Sequence, residues 1–291
     1  MSIATMQSVT AGRPLWAEVD VCGLTHQGLV RATNNDHFLV ASFHRTLRIH
    51  ASSLGDPSGP QETQQRGLLL VVADGVGGEA TAGEGAARAL STVAQHLLHE
   101  TEICSQFAAE RQQDAVAFLR ESVIKAHQTL RDAGEWAERD HRSTTLTMYA
   151  AFWPTAFILH VGDSRLYRYR DGVLERLTTD QTLAQIMIDT GKMSPHTAEH
   201  SPLKHVLWSA VGSSDVTPEV VVTDCRREGV VLLCTDGLTK HVSDAEIASH
   251  MARRAPTKKT CQALIDLALS RGGSDNVTVV MGRTRQSDDE Q

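Results

Sequence analysis

Four aspartates stand at the ends of apolar segments. Asp74 closes one such run in A-D-G-V-G-G, and Asp236 closes another in L-L-C-T-D-G-L. Asp275 lies in G-G-S-D-N-V-T, just ahead of the last apolar segment, and Asp36 lies in N-N-D-H-F, just ahead of an early one. Two of the four run straight into Gly, which lets backbone approach an ion or ligand closely. Taken singly, an Asp-Gly dipeptide signals a turn. Recurrence at the ends of buried-type strands points further, because unpaired carboxylates there add no stability. Like charges held close raise one another's pKa and repel, and a cation is the natural compensation. Oxygen-rich sets of this kind suit hard ions such as Mg²⁺ and Mn²⁺, so the chemistry to expect is metal activation of water.

Those aspartates need elements to hold them. Segments rich in Val, Leu and Phe predict strands at 17–24 and 37–42, and the unbroken apolar run 67–73 fits a strand buried on both faces. Helices are expected at 79–100, with Ala82, Ala86, Ala89, Leu90, Val93 and Leu97 on one stripe, and at 113–133, with Val116, Leu119, Val123 and Leu130. The period returns to strand at 144–152, 156–162, 165–170 and 173–177, with Asp171-Gly172 as a hairpin turn between the last two. Residues 181–212 are mixed, a short helical pattern at 182–190 leading into a stretch bearing Pro and His. Strands resume at 219–223 and 230–234. Ser243 and Glu246 form a capping-box signature, 257–270 is a second amphipathic helix, and a strand at 277–282 closes the pattern. Residues 52–66 read as a surface loop, 1–16 as a flexible lead-in and 286–291 as a polar tail. Helix pairs set among runs of strands predict an α+β fold, with one domain over 17–285.

Bulk properties narrow the function. A net charge of −7 argues against a nucleic-acid binder, which would show a basic face. No apolar run is long enough to span a bilayer, so no membrane role is expected. Cys22, Cys104, Cys225, Cys234 and Cys261 are scattered, odd in number and free of C-x-x-C spacing, which suits a reducing cytoplasm and gives no zinc signature.

The motifs resemble those of the PPM family, the Mg²⁺/Mn²⁺-dependent protein phosphatases of type 2C, in their bacterial branch. They run in order as G-L-T-H-Q-G-L-V-R-A-T-N-N-D (23–36), V-A-D-G-V-G-G (72–78), S-T-T (143–145), H-V-G-D-S-R-L-Y (160–167), L-T-T-D (177–180), C-T-D-G-L (234–238) and S-D-N-V-T (274–278). The resemblance implies a β-sandwich of two antiparallel sheets with a helix pair on each outer face, and a metal site at one edge. It also implies that Asp74 bridges two core ions, that the Gly75 carbonyl binds the second, and that Asp236 and Asp275 complete the first. Asp36 would support the second ion through water, and Asp140 matches a position that helps hold a third. Arg31 would bind the substrate phosphate with its planar fork. Arg31, Asp74 and Asp236 are thus the expected catalytic residues. The substrates implied are phosphoserine and phosphothreonine in proteins opposed to a Ser/Thr kinase, attacked by activated water with no phosphoenzyme. Residues 181–211 correspond to a mobile flap beside the site.

Some positions depart from the family pattern. Val76 replaces the His of animal members, a candidate general acid, so water must protonate the leaving oxygen. Asn35 stands where an acid is frequent and removes one negative charge near the second ion. Ser143 and Gln181 replace a usual Gly and His without touching a metal ligand. Other features are set aside. His196, His200 and His205 invite a zinc reading, but Pro202 interrupts them and no Cys joins them. The glycines at 77, 78, 83 and 85 lack a nucleotide-loop pattern, and Ser164 lacks the G-x-S-x-G context of a nucleophile. Two rivals stay open: a pseudophosphatase that binds phosphopeptides without turnover, and a hydrolase of small phosphoesters only.

Overall fold

The structure is a computed structural model, and it describes residues 18–43, 47–52, 67–76, 81–99, 112–134, 142–225 and 229–284. The expected lead-in, the body of the 52–66 loop, Cys104, the polar tail and Asp140 lie outside the described residues.

In chain order the first elements are β1 (Val19–His26), β2 (Asp36–Phe43), β3 (Leu47–Ser52), β4 (Gly67–Val76), α1 (Ala82–His99) and α2 (Gln112–Gly134). A meander follows: β5 (Ser143–Thr144), β6 (Leu146–Phe152), β7 (Thr155–Val161), β8 (Arg165–Arg170) and β9 (Val173–Arg176). Next come the short helices α3 (Leu183–Asp189) and α4 (Pro195–Glu199) and a 3-10 turn at Pro202–His205. The last described elements are β10 (Glu219–Asp224), β11 (Val230–Cys234), α5 (Asp236–Thr239), α6 (Asp244–Ala252), α7 (Thr257–Ser270) and β12 (Val277–Thr284).

Two antiparallel sheets result, one ordered β1-β12-β11-β8-β9 and the other β10-β7-β6-β4-β2-β3, with β5 attached to β4. Strand periodicity of two sorts each central strand between two cores. Leu39, Ala41, Leu69, Val71 and Ala73 face α1 and α2, whereas Phe38, Val40, Leu68, Leu70 and Val72 face Leu166, Val231, Leu233 and Val280 of the other sheet. Leu232, Cys234, Val279 and Met281 turn outward onto α6 and α7. The expected α+β sandwich, flanked by a helix pair on each outer face, is the architecture observed. The capping box at Ser243 and Glu246 opens α6 as expected. Asp171 and Gly172 both take positive φ, 53° and 82°, which turns β8 into β9.

Three differences bear on the site. β4 runs past Ala73 to Val76 because β5 pairs with its end, Gly75 opposite Thr144 and Val76 opposite Ser143, so Asp74 is held in a strand rather than after one. β3 was not expected: among the described residues Leu47–Ser52 is an edge strand paired with β2 alone, and Arg48 and His50 dilute its apolar pattern. Asp236 itself opens one helical turn, α5, a short helix that the sequence pattern did not predict.

Candidate metal and phosphate site

Asp36 and Asp74 are direct partners across the β2–β4 ladder. Like charges placed so are destabilising, and the surrounding bonds force them to stay. The S-T-T segment grips the backbone of Asp74. Thr145 Oγ1 accepts from Asp74 N at 3.0 Å, Thr145 N donates to Asp74 O at 2.9 Å, and Thr144 Oγ1 donates to the same carbonyl at 2.8 Å. Asp36 is held from the opposite sheet, its Oδ2 accepting from Thr235 Oγ1 at 2.7 Å and Thr278 Oγ1 at 2.8 Å. Its Oδ1 is buried and has no hydrogen-bond partner among the described residues. Gly75 lies where a side chain would collide with Ala82 O, and Gly237 where one would collide with Asn276 O. Both glycines are required by close backbone approach at the site edge.

Asp236 and Asp275 reach the same edge from α5 and from the loop before β12. Lys240 Nζ donates to Asp236 Oδ2 and to Asp275 Oδ2, each at 2.6 Å. Arg31 grips Asp275 in a fork, Nε to Oδ1 at 2.7 Å and a terminal nitrogen to Oδ2 at 2.9 Å. Asn276 staples the Arg31 loop by donating to Gln27 O and Thr33 O, both at 2.8 Å, and by accepting from Asn35 N. The sequence reading missed two members of this cluster. Asp163 follows β7 beside Gly162; its charge acts on Asp74, and it feels the charge of Asp236. Its signal was the one used for Asp74 and Asp236, an Asp beside Gly at the end of an apolar strand. Lys240 is the other, four residues after Asp236 and so on the same helical face.

The electrostatics match a site that needs positive charge. Burial pushes the Asp36 carboxyl up to about 7, against the pull of its two threonine hydroxyls. Asp74 keeps some solvent contact, but desolvation and then the charges of Asp36, Asp236 and Asp163 hold it well above the usual carboxylate range. Asp163 shifts upward likewise, from desolvation and then from Asp236 and Asp180. Desolvation would raise Asp275 too, but the hydrogen bonds from Arg31 and Lys240 outweigh it and hold its carboxyl below the usual value. Among the described residues no three His, Cys, Asp or Glu side chains close into a ready-made metal geometry. The donor set nevertheless fits a hard divalent ion: all oxygen, anionic in excess, and carrying the unsatisfied Asp36 Oδ1.

A pH dependence follows. Asp36 ordinarily ionises near pH ~4 in an unfolded chain. With its folded value raised to about 7, the folded chain holds the proton more tightly. Its contribution is therefore intact below the unfolded value and is lost as pH rises through the window between the two. In chelator, the chain is expected to melt at a higher temperature at about pH 5.5 than at about pH 8, and Mn²⁺ at the higher pH should recover the difference. Thermal melts at the two pH values check this; a metal-free melting point rising across that window would contradict the assignment.

The other expected features fall into place around the cluster. Residues 181–211 form α3, α4 and the 3-10 turn, tied at their base by Gln181, whose Oε1 accepts from Gly162 N at 3.0 Å. A cleft of about 830 Å³ opens between this segment and α5–α6, lined by Asp163, Asp236, Lys240, Arg165, Lys204 and His205. His196 on α4 and His200 at its C-cap pack with tilted rings, centroids 5.2 Å apart, and join no metal group among the described residues. Ser164 is fully buried and shares a 2.8 Å hydrogen bond with Thr145 Oγ1, a structural role and not that of an exposed nucleophile.

Known proteins resemble this chain in sequence and in fold. Residues 52–269 match the protein phosphatase 2C family. The serine/threonine protein phosphatase PstP of Mycobacterium tuberculosis is 34% identical over 214 residues, 73% of this chain and 40% of that one, so the chain spans about two fifths of that relative's length. The serine/threonine phosphatase stp of Listeria monocytogenes is 30% identical over 231 residues, 78% of this chain and 88% of that one. A solved catalytic domain of PstP in complex with two manganese ions superposes with a TM-score of 0.69 at 28% identity, covering 92% of this chain and 99% of that chain. With three quarters of its length matched by the family and the sandwich shared with a solved member, this chain belongs to the protein phosphatase 2C family.

Proposed function

We propose that the chain is a metal-dependent serine/threonine protein phosphatase, cleaving phosphoserine and phosphothreonine with activated water and no phosphoenzyme. The observation that carries the proposal is the convergence of Asp36, Asp74, Asp163, Asp236 and Asp275 at one sandwich edge, with Asp36 facing Asp74 across the ladder. The two named relatives, both serine/threonine phosphatases, support it, and so does the manganese-bound neighbour. Asp74 would lie between two Mn²⁺ or Mg²⁺ ions, with the Gly75 carbonyl on one and Asp236 and Asp275 on the other. Asp36 would orient water beside them, and Asp140 would serve a third ion. When bound, the ions supply a nucleophilic water at neutral pH and neutralise developing charge.

The protein's own groups do the rest. Arg31, 46% exposed, has Nε and one terminal nitrogen engaged on Asp275, and its remaining N–H groups would hold the phosphate oxygens. Asp36 and the threonines around it keep the cluster in one geometry before substrate arrives. Residues 181–211 would act as the flap of a phosphatase domain spanning 17–285 and would take the polypeptide part of the substrate, a protein phosphorylated by a Ser/Thr kinase. No helix of the described residues is long and apolar enough to cross a membrane, and the four cysteines described are free. Both fit work in the cytoplasm.

The test is turnover of a phosphothreonine peptide with and without added Mn²⁺. Phosphate release only with the metal is expected, and Arg31→Ala should raise KM by roughly ten- to a hundredfold, the loss of a charged hydrogen-bond partner. Tight peptide binding without release would identify a binding module instead. Turnover confined to small phosphoesters would remove the protein substrate from the proposal.

A further inference from the structure

Lys240 stands four residues after Asp236, and α5 brings both side chains to one face, with Lys240 N donating to Asp236 O at 2.8 Å. The residue lies at the surface, yet its side chain is only 23% exposed, because it turns inward to two carboxylates, one from α5 and one from the loop before β12. Its ammonium donates at 2.6 Å to Asp236 Oδ2 and at 2.6 Å to Asp275 Oδ2. Arg31 is arranged differently: its ion pair is with Asp275, and its side chain is twice as exposed. Lys240 is thus the cation shared by Asp236 and Asp275, the two carboxylates assigned above to one metal ion. An ammonium and a divalent ion repel strongly at contact distance and cannot both sit between the same two oxygens.

We propose that Lys240 is a tethered counter-cation that competes with the divalent metal for Asp236 and Asp275, and so sets the metal concentration at which the site loads. The inference rests on the cation site proposed above. Loading requires the ammonium to leave, and the side chain has somewhere to go: Lys240 lines the cleft of about 830 Å³, and its four-carbon stem is flexible. If the arrangement with Lys240 turned out is populated about a tenth of the time, apparent metal affinity falls about tenfold. In exchange, Asp236 and Asp275 are neutralised before any metal arrives. Lysine here trades metal affinity for a folded, metal-free protein.

The experiment is Mn²⁺ titration of the chelator-treated full chain, read by the electron paramagnetic resonance of free Mn²⁺, for the parent, Lys240→Met and Lys240→Arg. Lys240→Met should bind the tightest Mn²⁺ about tenfold or more strongly than the parent, and Lys240→Arg should stay within a few-fold of it. Melts in chelator give a second measurement: Lys240→Met should melt below the parent and rise more on adding Mn²⁺. If Lys240→Met is unfolded in chelator, circular dichroism during the titration should show it folding at a lower Mn²⁺ concentration than saturates the parent. Failure to fold at any concentration counts against the proposal. Equal or weaker Mn²⁺ binding by Lys240→Met overturns the role of Lys240 while leaving the metal site intact. No Mn²⁺ bound by any of the three overturns the metal site itself, and this inference with it.

Discussion

Asp236→Asn and Asp275→Asn should each reduce Mn²⁺-dependent turnover of a phosphothreonine peptide by roughly a thousandfold or more, to the assay floor. The size follows from what a bound ion contributes, several kcal/mol of charge stabilisation and an ionised nucleophile at neutral pH. Asparagine keeps the shape and the hydrogen-bonding oxygen of aspartate but removes its charge. Asp236 sits in the first turn of α5, and Asp275 in the loop that Asn276 staples to the Arg31 segment, so neither substitution takes apart a core element. Circular dichroism of both variants should match the parent. Lys240 would keep one of its two partners in each case, which limits the disturbance to the fold. Steady-state kcat at saturating Mn²⁺ is the measurement. Activity within a few-fold of the parent in both variants would remove these two residues from the metal site.

Much of this architecture was legible locally. The double-sided apolar run of β4, the stripes of α1 and α2, the Asp171-Gly172 turn and the Ser243–Glu246 capping box are short-range patterns, and each produced the element expected of it. Where the pattern was diluted, the element was missed. β3 carries Arg48 and His50, so its apolar alternation is weak, and among the described residues it pairs on one side, with β2. The site divides in the same way. Asp36, Asp74, Asp236 and Asp275 stood out by local grammar and by family motifs, and Asp163 obeyed that grammar without being assigned a role. Contacts of long range left no trace in the chain. Asp36 meets Thr235 and Thr278 across 199 and 242 positions, and its pairing with Asp74 depends on the β2–β4 register. Arg31 was expected to face a phosphate, and it is found in a fork on Asp275, a contact across 244 positions that only the folded sheet edge creates. Asp140, the candidate for a third ion, lies outside the described residues.

Asp74→Asn should uncouple metal from folding. In the parent, Asp74 faces Asp36 directly and feels Asp236, Asp163 and Asp275 as well, so ionising it in the folded state costs stability. A divalent ion that binds only the native state adds RT ln(1 + [L]/Kd), about 2.7 kcal/mol at one hundred times Kd. For a chain of this size that corresponds to a rise of roughly 5–10 °C in Tm. Asparagine at 74 changes both ends of the comparison. It removes a charge from a cluster with too many, so the metal-free Tm should rise slightly above that of the parent at about pH 8, where the parental carboxyls with raised pKa are more ionised than at lower pH and repel one another more. It also removes the carboxylate assigned to both ions, so most of the Mn²⁺-induced rise should disappear. The backbone bonds from Thr144 and Thr145 to residue 74 do not involve its side chain and should survive, keeping the variant's fold comparable with the parent's. The measurement is a set of four melts, parent and variant, each in chelator and in millimolar Mn²⁺. The parent should gain several degrees from the metal and the variant almost none, from a higher starting point. An equal rise in the two proteins would place the stabilising ion away from Asp74, and a lower metal-free Tm in the variant would mean that repulsion at the Asp36–Asp74 pair is not what strains the edge.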